Sequence, residues 1–172
     1  MSKKILIVLA AILMMIGLLA CESSSDNNSN DTGKALKFEY NGVAMAPGDS
    51  FAEISGKLGE PTGYYEATSC AFDGKDKIYT YGSLQISVSP MDDVDIIYMI
   101  TLLDDSLSTP EGIYVGSEKN AVLSAYSVGY GSCVDKGSSL VYNSGKTDLV
   151  FLIRDDCVTS VQYRYVDAVI NG

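Results

Sequence analysis

Two short stretches of this chain echo one another, and the echo limits the fold more than any other feature. Residues 42–61 read GVAMAPGDSFAEISGKLGEP, and residues 112–127 read GIYVGSEKNAVLSAYS. Setting Gly48 against Gly116 places Ile54 on Val122 and Leu58 on Tyr126. In each copy a short extended run reaches a glycine and a polar residue, and about two turns with one apolar face follow. Ser50 and Glu53 have the spacing of a capping box, in which each side chain accepts from the other residue's backbone N–H. Phe51, Ile54 and Leu58 supply the apolar face, and Gly59-Glu60-Pro61 stops the turn. The spacing predicts helices over 50–58 and 118–126.

Three candidate strands follow each helix. In the first copy they are 77–81, 84–89 and 96–103; in the second, 140–142, 148–153 and 158–166. Leu84, Ile86 and Val88 alternate with Gln85, Ser87 and Ser89, the pattern of a sheet with one wet face. Asn143-Ser144-Gly145 and Asp155-Asp156 supply turn chemistry between the later strands. The expected fold is therefore α+β: two tandem repeats, 34–108 and 109–172, each a short helix followed by an antiparallel three-stranded meander. Units this small have marginal cores, so the two are expected to pack together.

Residues 1–33 do not fit that pattern. Lys3 and Lys4 precede an apolar run from Ile5 to Ala20, broken only by Gly17. Its length approaches a short transmembrane helix, but the small-residue ending marks a signal peptide over 1–20. Leu18-Leu19-Ala20-Cys21 resembles the lipobox of bacterial lipoproteins. That resemblance implies cleavage before Cys21 and fatty acylation (palmitate-type) of its sulfur. The membrane is then a partner through the lipid anchor, at the extracytoplasmic face of the bacterial cell membrane; two or more acyl chains anchor stably where one is marginal. The alternative is a cleaved secretory signal with an incidental cysteine. Residues 22–33, ESSSDNNSNDTG, hold no apolar side chain, so with Cys21 they read as a disordered polar tether, 21–33. Asp26, Asn28 and Asn30 begin like a calcium loop, but Asp31 and Lys37 stand where Gly and Glu are needed.

Composition narrows the chemistry. The chain has no histidine, which excludes Ser-His-Asp and Cys-His mechanisms, His-ligated zinc and HExxH sites. Its formal charge is -10, and without Lys3 and Lys4 ten cations face 22 acids. So acidic a chain lacks the clustered Lys and Arg that nucleic acid requires. Gly145-Lys146-Thr147 ends like a phosphate loop, but Leu140 stands where its first glycine belongs and a strand follows, so it reads as a hairpin turn. Asp92, Asp93 and Asp95, like Asp104 and Asp105, read as solvated turn ends. The first three offer oxygen ligands for calcium, at a spacing that matches no known loop. No catalytic residue, cofactor or metal site is assigned.

Twelve tyrosines against four phenylalanines are the informative excess. Tyr79 and Tyr81 share one face of their strand, and Tyr163 and Tyr165 one face of theirs. Facing outward, these four form a candidate binding surface, since tyrosine is enriched at interfaces. Facing inward, they cover the core with hydroxyls at its rim.

Gly116 with Val122-Leu123, led by Ile113-x-Val115 and followed by a Gly-rich turn and strands, resembles the repeat of the beta-lactamase-inhibitor-protein fold. Outer-membrane-assembly lipoproteins of the BamE type have a similar single unit. More narrowly, SCAFDGKDKIYTYG (69–82) and DDSLSTPEGIYVGS (104–117) resemble uncharacterised lipoproteins of Gram-positive type. The resemblance brings no known activity and suggests a protein or peptide partner. It also agrees with a Cys133–Cys157 disulfide, since such repeats link a cysteine just after the helix to a later strand. The predicted hairpin of 140–142 with 148–153 returns the two cysteines toward each other. Cys70 would then be free, with a Cys70–Cys133 bridge as the alternative. The functional expectation is a non-enzymatic, lipid-anchored binding protein. An envelope-assembly or structural lipoprotein without a discrete ligand is the alternative, with a small hydrolase third.

Overall fold

The alternation at Leu84, Ile86 and Val88 continues across neighbouring strands and builds one sheet. The computed structural model describes residues 34–166, which belong to one compact unit. The signal peptide over 1–20, Cys21 and the rest of the tether to 33 lie outside the described residues. The elements are β1 (Phe38–Tyr40), β2 (Val43–Met45), α1 (Phe51–Leu58), β3 (Gly63–Thr68), β4 (Lys75–Tyr81), β5 (Leu84–Met91) and β6 (Val94–Leu102). After them come α2 (Lys119–Ala125), β7 (Cys133–Asp135), β8 (Ser139–Ser144), β9 (Thr147–Arg154) and β10 (Cys157–Tyr165). β1 and β2 form a small hairpin across Asn41-Gly42, both at positive φ, which suits the right-handed twist of its strands. The other eight strands form a single antiparallel sheet in the order β3-β4-β5-β6-β10-β9-β8-β7.

This corrects the expected fold class. The chain is mostly β, and it does not adopt two packed α+β repeats of a helix with a three-stranded meander, the beta-lactamase-inhibitor-like arrangement. Its strands run as one continuous sheet, because β6 pairs with β10 over Val161–Leu102 and Tyr163–Ile100. Merging the sheets removes two edges that separate units would have to protect. The remaining edges are β3 and β7, neither of which the sequence pattern predicts.

Tight turns fix the strand registers. Asp92-Asp93 and Asp155-Asp156 occupy two-residue turns with all four residues at positive φ, a conformation that aspartate tolerates better than most residues. Gly145-Lys146 is likewise a hairpin turn, between β8 and β9. The capping box at Ser50 does not form: Ser50 makes no side-chain cap bond. Its backbone is instead drawn to β6, where Gly48 N–H donates to the Ile97 carbonyl at 2.8 Å and Ile97 N–H to that of Asp49 at 2.9 Å.

One face of the sheet carries the core. The hairpin contributes Phe38 and Met45, α1 contributes Phe51, Ile54 and Leu58, and α2 contributes Val122. They pack on Leu84, Ile86, Ile100, Leu149, Phe151 and Val161 among others. Each fully buried side chain of this size contributes about 1.5–3 kcal/mol. A bulge at Tyr98 shifts the β5–β6 register, with Ser87 opposite Met99 and Val88 opposite Ile97. It keeps Ile97 and Ile100 in the core and leaves Tyr98 and Met99 partly exposed.

Candidate functional site

The four tyrosines of the expected platform all point to the core face. Tyr79 and Tyr81 stand in register with Ile86 and Leu84 on β5, and Tyr163 with Ile100 on β6. Tyr81 is 4% and Tyr163 1% exposed. Tyr79, Tyr81 and Tyr163 thus lie on the face that the helices cover rather than on an outward platform, and Tyr165, opposite Thr147, follows Tyr163 on that face. Nor do the four converge. Tyr79 and Tyr81 line one groove, Tyr163 lines a different cavity, and Tyr165 packs on Gly48.

The groove of Tyr79 and Tyr81 lies between the end of α1 and β4, with a volume near 380 Å³. Phe51, Ser55, Glu60 and Pro61 complete its wall. Tyr79 stacks on Phe51 at 4.4 Å between centroids, and Tyr64 of β3 lies 5.0 Å from Tyr79 on its other side. The three rings make a ladder from the core to the sheet edge. Tyr64 is 52% exposed, and Tyr65, pointing to the opposite face, is 62% exposed. The sequence reading missed both. Their adjacency was the available signal, since successive strand residues face opposite sides and a one-sided core can cover only one.

Charges fix the exposed end of the ladder. Tyr64 donates to Glu66 Oε2 at 2.6 Å, and Lys75 pairs with Glu66 Oε1. The hydrogen bond to Glu66, with a minor contribution from desolvation, pushes the Tyr64 hydroxyl up to about 12. Lys75 and then Tyr64 hold Glu66 below the usual carboxylate range. Ring faces, a fixed phenol and, among the described residues, a strand edge paired on one side meet at this end of the groove.

A second polar centre surrounds Glu111, also missed by the sequence reading. Tyr126 donates to Glu111 Oε2 at 2.8 Å, Tyr130 donates to Oε1, and Lys34 Nζ lies 2.8 Å from Oε1. Lys34 also sits 5.0 Å above the Tyr130 ring. Beside them is a cavity near 190 Å³ lined by Leu36, Pro110 and Tyr163. Burial pushes both the Tyr126 and Tyr163 hydroxyls far above the ordinary phenol range. The Tyr163 hydroxyl faces that of Tyr126 at a geometry short of a full hydrogen bond. This network ties the segment before β1 to the α2 side of the core, a structural office.

Cys70, Cys133 and Cys157 are all free thiols, which corrects the expected Cys133–Cys157 bridge. Cys133 is opposite Tyr142, Tyr142 opposite Leu149, and Leu149 opposite Tyr163. Three strand spacings separate the two cysteines laterally, about 14 Å, and six residues of β10 add about 20 Å lengthwise. A disulfide needs Cα atoms within about 7 Å. Asp92 and Asp93 serve as turn residues, and Asp95 is paired with Lys77 at 2.5 Å. Among the described residues no group of three or more Cys, Asp or Glu is placed to hold a metal ion, and no helix is long and apolar enough to cross a membrane.

No family model and no curated protein matches this chain. Among solved structures it is similar to an extracellular protein containing an SCP domain from Bacillus anthracis str. Ames, at 10% identity and a TM-score of 0.50. That match covers 87% of this chain and 50% of the other, so the chain spans half the length of that protein. It is also similar to a DUF4309 family protein (YjgB) from Bacillus subtilis subsp. subtilis str. 168, at 15% identity and a TM-score of 0.42, covering 73% of this chain and 83% of that one. At these identities the first likeness is one of fold alone.

Proposed function

We propose that this chain is a lipid-anchored extracytoplasmic binding protein that recognises a protein or peptide partner by adding an extended segment to its β3 edge. Acyl chains on Cys21 hold it at the outer face of the cell membrane, and the polar stretch 22–33 sets the sheet domain off the surface. The neighbour of similar fold that is described as extracellular is in keeping with that location. Recognition, rather than catalysis, is the reading that the side chains of the groove support.

The observation that carries the reading is the character of β3. Among the described residues it is the first strand of an eight-stranded sheet, with pairing on one side only. Edge strands are commonly blunted by brevity, bulges, proline or several charges. β3 runs six residues with no bulge and one charge, Glu66, and carries Tyr64 and Tyr65 exposed on opposite faces. Strand addition draws affinity from main-chain hydrogen bonds and specificity from alternate side chains. The Phe51–Tyr79–Tyr64 ladder and its groove would receive every second residue of the incoming strand.

Peptides selected from a random display library on the full chain test the mode of binding. Their affinity should fall at least about tenfold when Tyr64 and Tyr65 are both changed to serine. Peptides that bind the double variant as tightly as the original would refute the β3 reading. Metabolic labelling with an alkynyl fatty acid tests the anchor: label should be present on the chain and lost in Cys21→Ser.

A further inference from the structure

A separate pocket lies on the opposite face of the sheet, where the loop between β3 and β4 folds over the outer surface. Its volume is near 300 Å³, and its wall includes Phe72 from the loop, Ile78 from β4, and Tyr98 and Met99 from β6. The bulge at Tyr98 is what brings Tyr98 and Met99 to it together. The loop is pinned. Ser69 Oγ accepts the N–H groups of Ala71 and Phe72, Ser69 N–H donates to the Gly74 carbonyl at 3.0 Å, and Gly74 sits against Pro90 so closely that a β-carbon would stand 3.0 Å from its ring. The cavity is therefore built into the fold, as small-molecule sites usually are.

One residue of that wall carries a polar atom that, among the described residues, lacks a partner. Asp76 lies on this face with Ile78 and is partly exposed, while its Oδ1 is turned out of solvent's reach and has no hydrogen-bond partner among the described residues. A carboxylate oxygen is an acceptor only, and leaving it unmatched in an apolar setting is costly. The group that satisfies it must donate, and a cation does so best. Lys77, the cation in that wall, is paired with Asp95, and the chain's formal charge of -10 favours the approach of a cation.

We propose that this pocket binds a small organic cation: an aromatic or branched apolar body seated among Phe72, Ile78, Tyr98 and Met99, with one protonated amine donating to the Asp76 carboxylate, which turns to meet it. The site is independent of the β3 edge and takes a different class of ligand. The exposed thiol of Cys70 at the pocket wall provides a reporter.

Phenethylamine and its neutral counterpart 2-phenylethanol are the probes. On the full chain, iodoacetamide labelling of Cys70, followed by peptide mass spectrometry, should slow saturably with phenethylamine. The alcohol should need at least about tenfold more for the same protection. Asp76→Asn should abolish the preference for the amine, and Ile78→Trp, which fills the pocket and leaves Asp76 in place, should abolish protection by either probe. The comparison of amine with alcohol on the unaltered chain needs neither variant to fold. Absence of protection at millimolar phenethylamine, equal protection by the alcohol, or an unchanged preference in a folded Asp76→Asn protein would each overturn the proposal.

Discussion

The ring of Tyr165 lies against the backbone of Gly48, so close that a β-carbon there would stand 2.9 Å from Cε2. Gly48 also has φ of 96°, a conformation that side chains rarely adopt. Its N–H donates to Ile97, so the backbone is held while the ring must yield. Lys146 Nζ lies 5.9 Å from the Tyr165 ring centroid and 3.5 Å from its hydroxyl. Gly48→Ala should therefore destabilise the domain by about 1–3 kcal/mol in urea denaturation. In a Tyr165→Ala background the clash is gone, and the same change should cost only the strain of φ, about 1 kcal/mol. Equal costs in the two backgrounds would show that the ring does not constrain Gly48.

The Tyr64–Glu66 hydrogen bond has a pH signature. A phenol that donates to a carboxylate is held protonated, so its hydroxyl is raised to about 12 rather than titrating near its ordinary 10. Glu66→Gln removes the charge and should bring Tyr64 back toward about 10. Following the Tyr64 ring carbon by NMR across pH 9–12.5 measures that midpoint. An unmoved midpoint in the variant would mean that Glu66 does not hold the phenol.

What was legible in the sequence is the part of the chain that buries one face. Phe51, Ile54 and Leu58 announce α1, and Leu84, Ile86 and Val88 announce β5, because a period shows wherever one side is wet and the other dry. The edge strands give no such sign. Every side chain of β3 from Tyr64 to Thr68 is exposed, so no alternation exists to read, and β7 is only three residues long. Missing both edges led to three-stranded units where the chain makes one eight-stranded sheet. It also misplaced Cys133, which lies on the far edge rather than beside Cys157. Period alone leaves the phase of a strand open where both faces are apolar. Ile78 and Tyr79 are such a pair, and only the register with Ile86 settles that Tyr79 turns inward. Glu111 lies in a loop without period, and its role depends on Tyr126 and Tyr130 reaching it from another segment.

The thiols give a direct check of the sheet order. A disulfide closing the 25-residue loop would contribute about 3 kcal/mol, and reduction would remove it. With Cys133 and Cys157 three strand spacings apart, adding dithiothreitol should leave the Tm unchanged. Cys70 is the exposed thiol and the other two are half-buried, so Cys70 should be alkylated first under native conditions. Recovery of a peptide joining Cys133 to Cys157 from the native protein would contradict the strand order.

Glu111 offers the sharpest contrast between neighbouring charges. Its side chain is 12% exposed, whereas that of Lys34 is 61% exposed. Removing Lys34 breaks an ion pair that water already screens, and Lys34→Ala should cost no more than about 1 kcal/mol. Removing the carboxylate leaves the Tyr126 and Tyr130 hydroxyls without their acceptor, and both residues are buried. Each unsatisfied hydroxyl costs about 1–3 kcal/mol, so Glu111→Leu should destabilise by about 2–4 kcal/mol once the added apolar burial is set against that loss. Glu111→Gln retains one acceptor oxygen and should fall between the two. Chemical denaturation of the three variants, with unchanged m-values, measures the series. The order Lys34→Ala, Glu111→Gln, Glu111→Leu is the expected result. A Lys34→Ala loss as large as that of Glu111→Leu would mean that the ion pair, and not the two tyrosine hydrogen bonds, fastens the segment before β1.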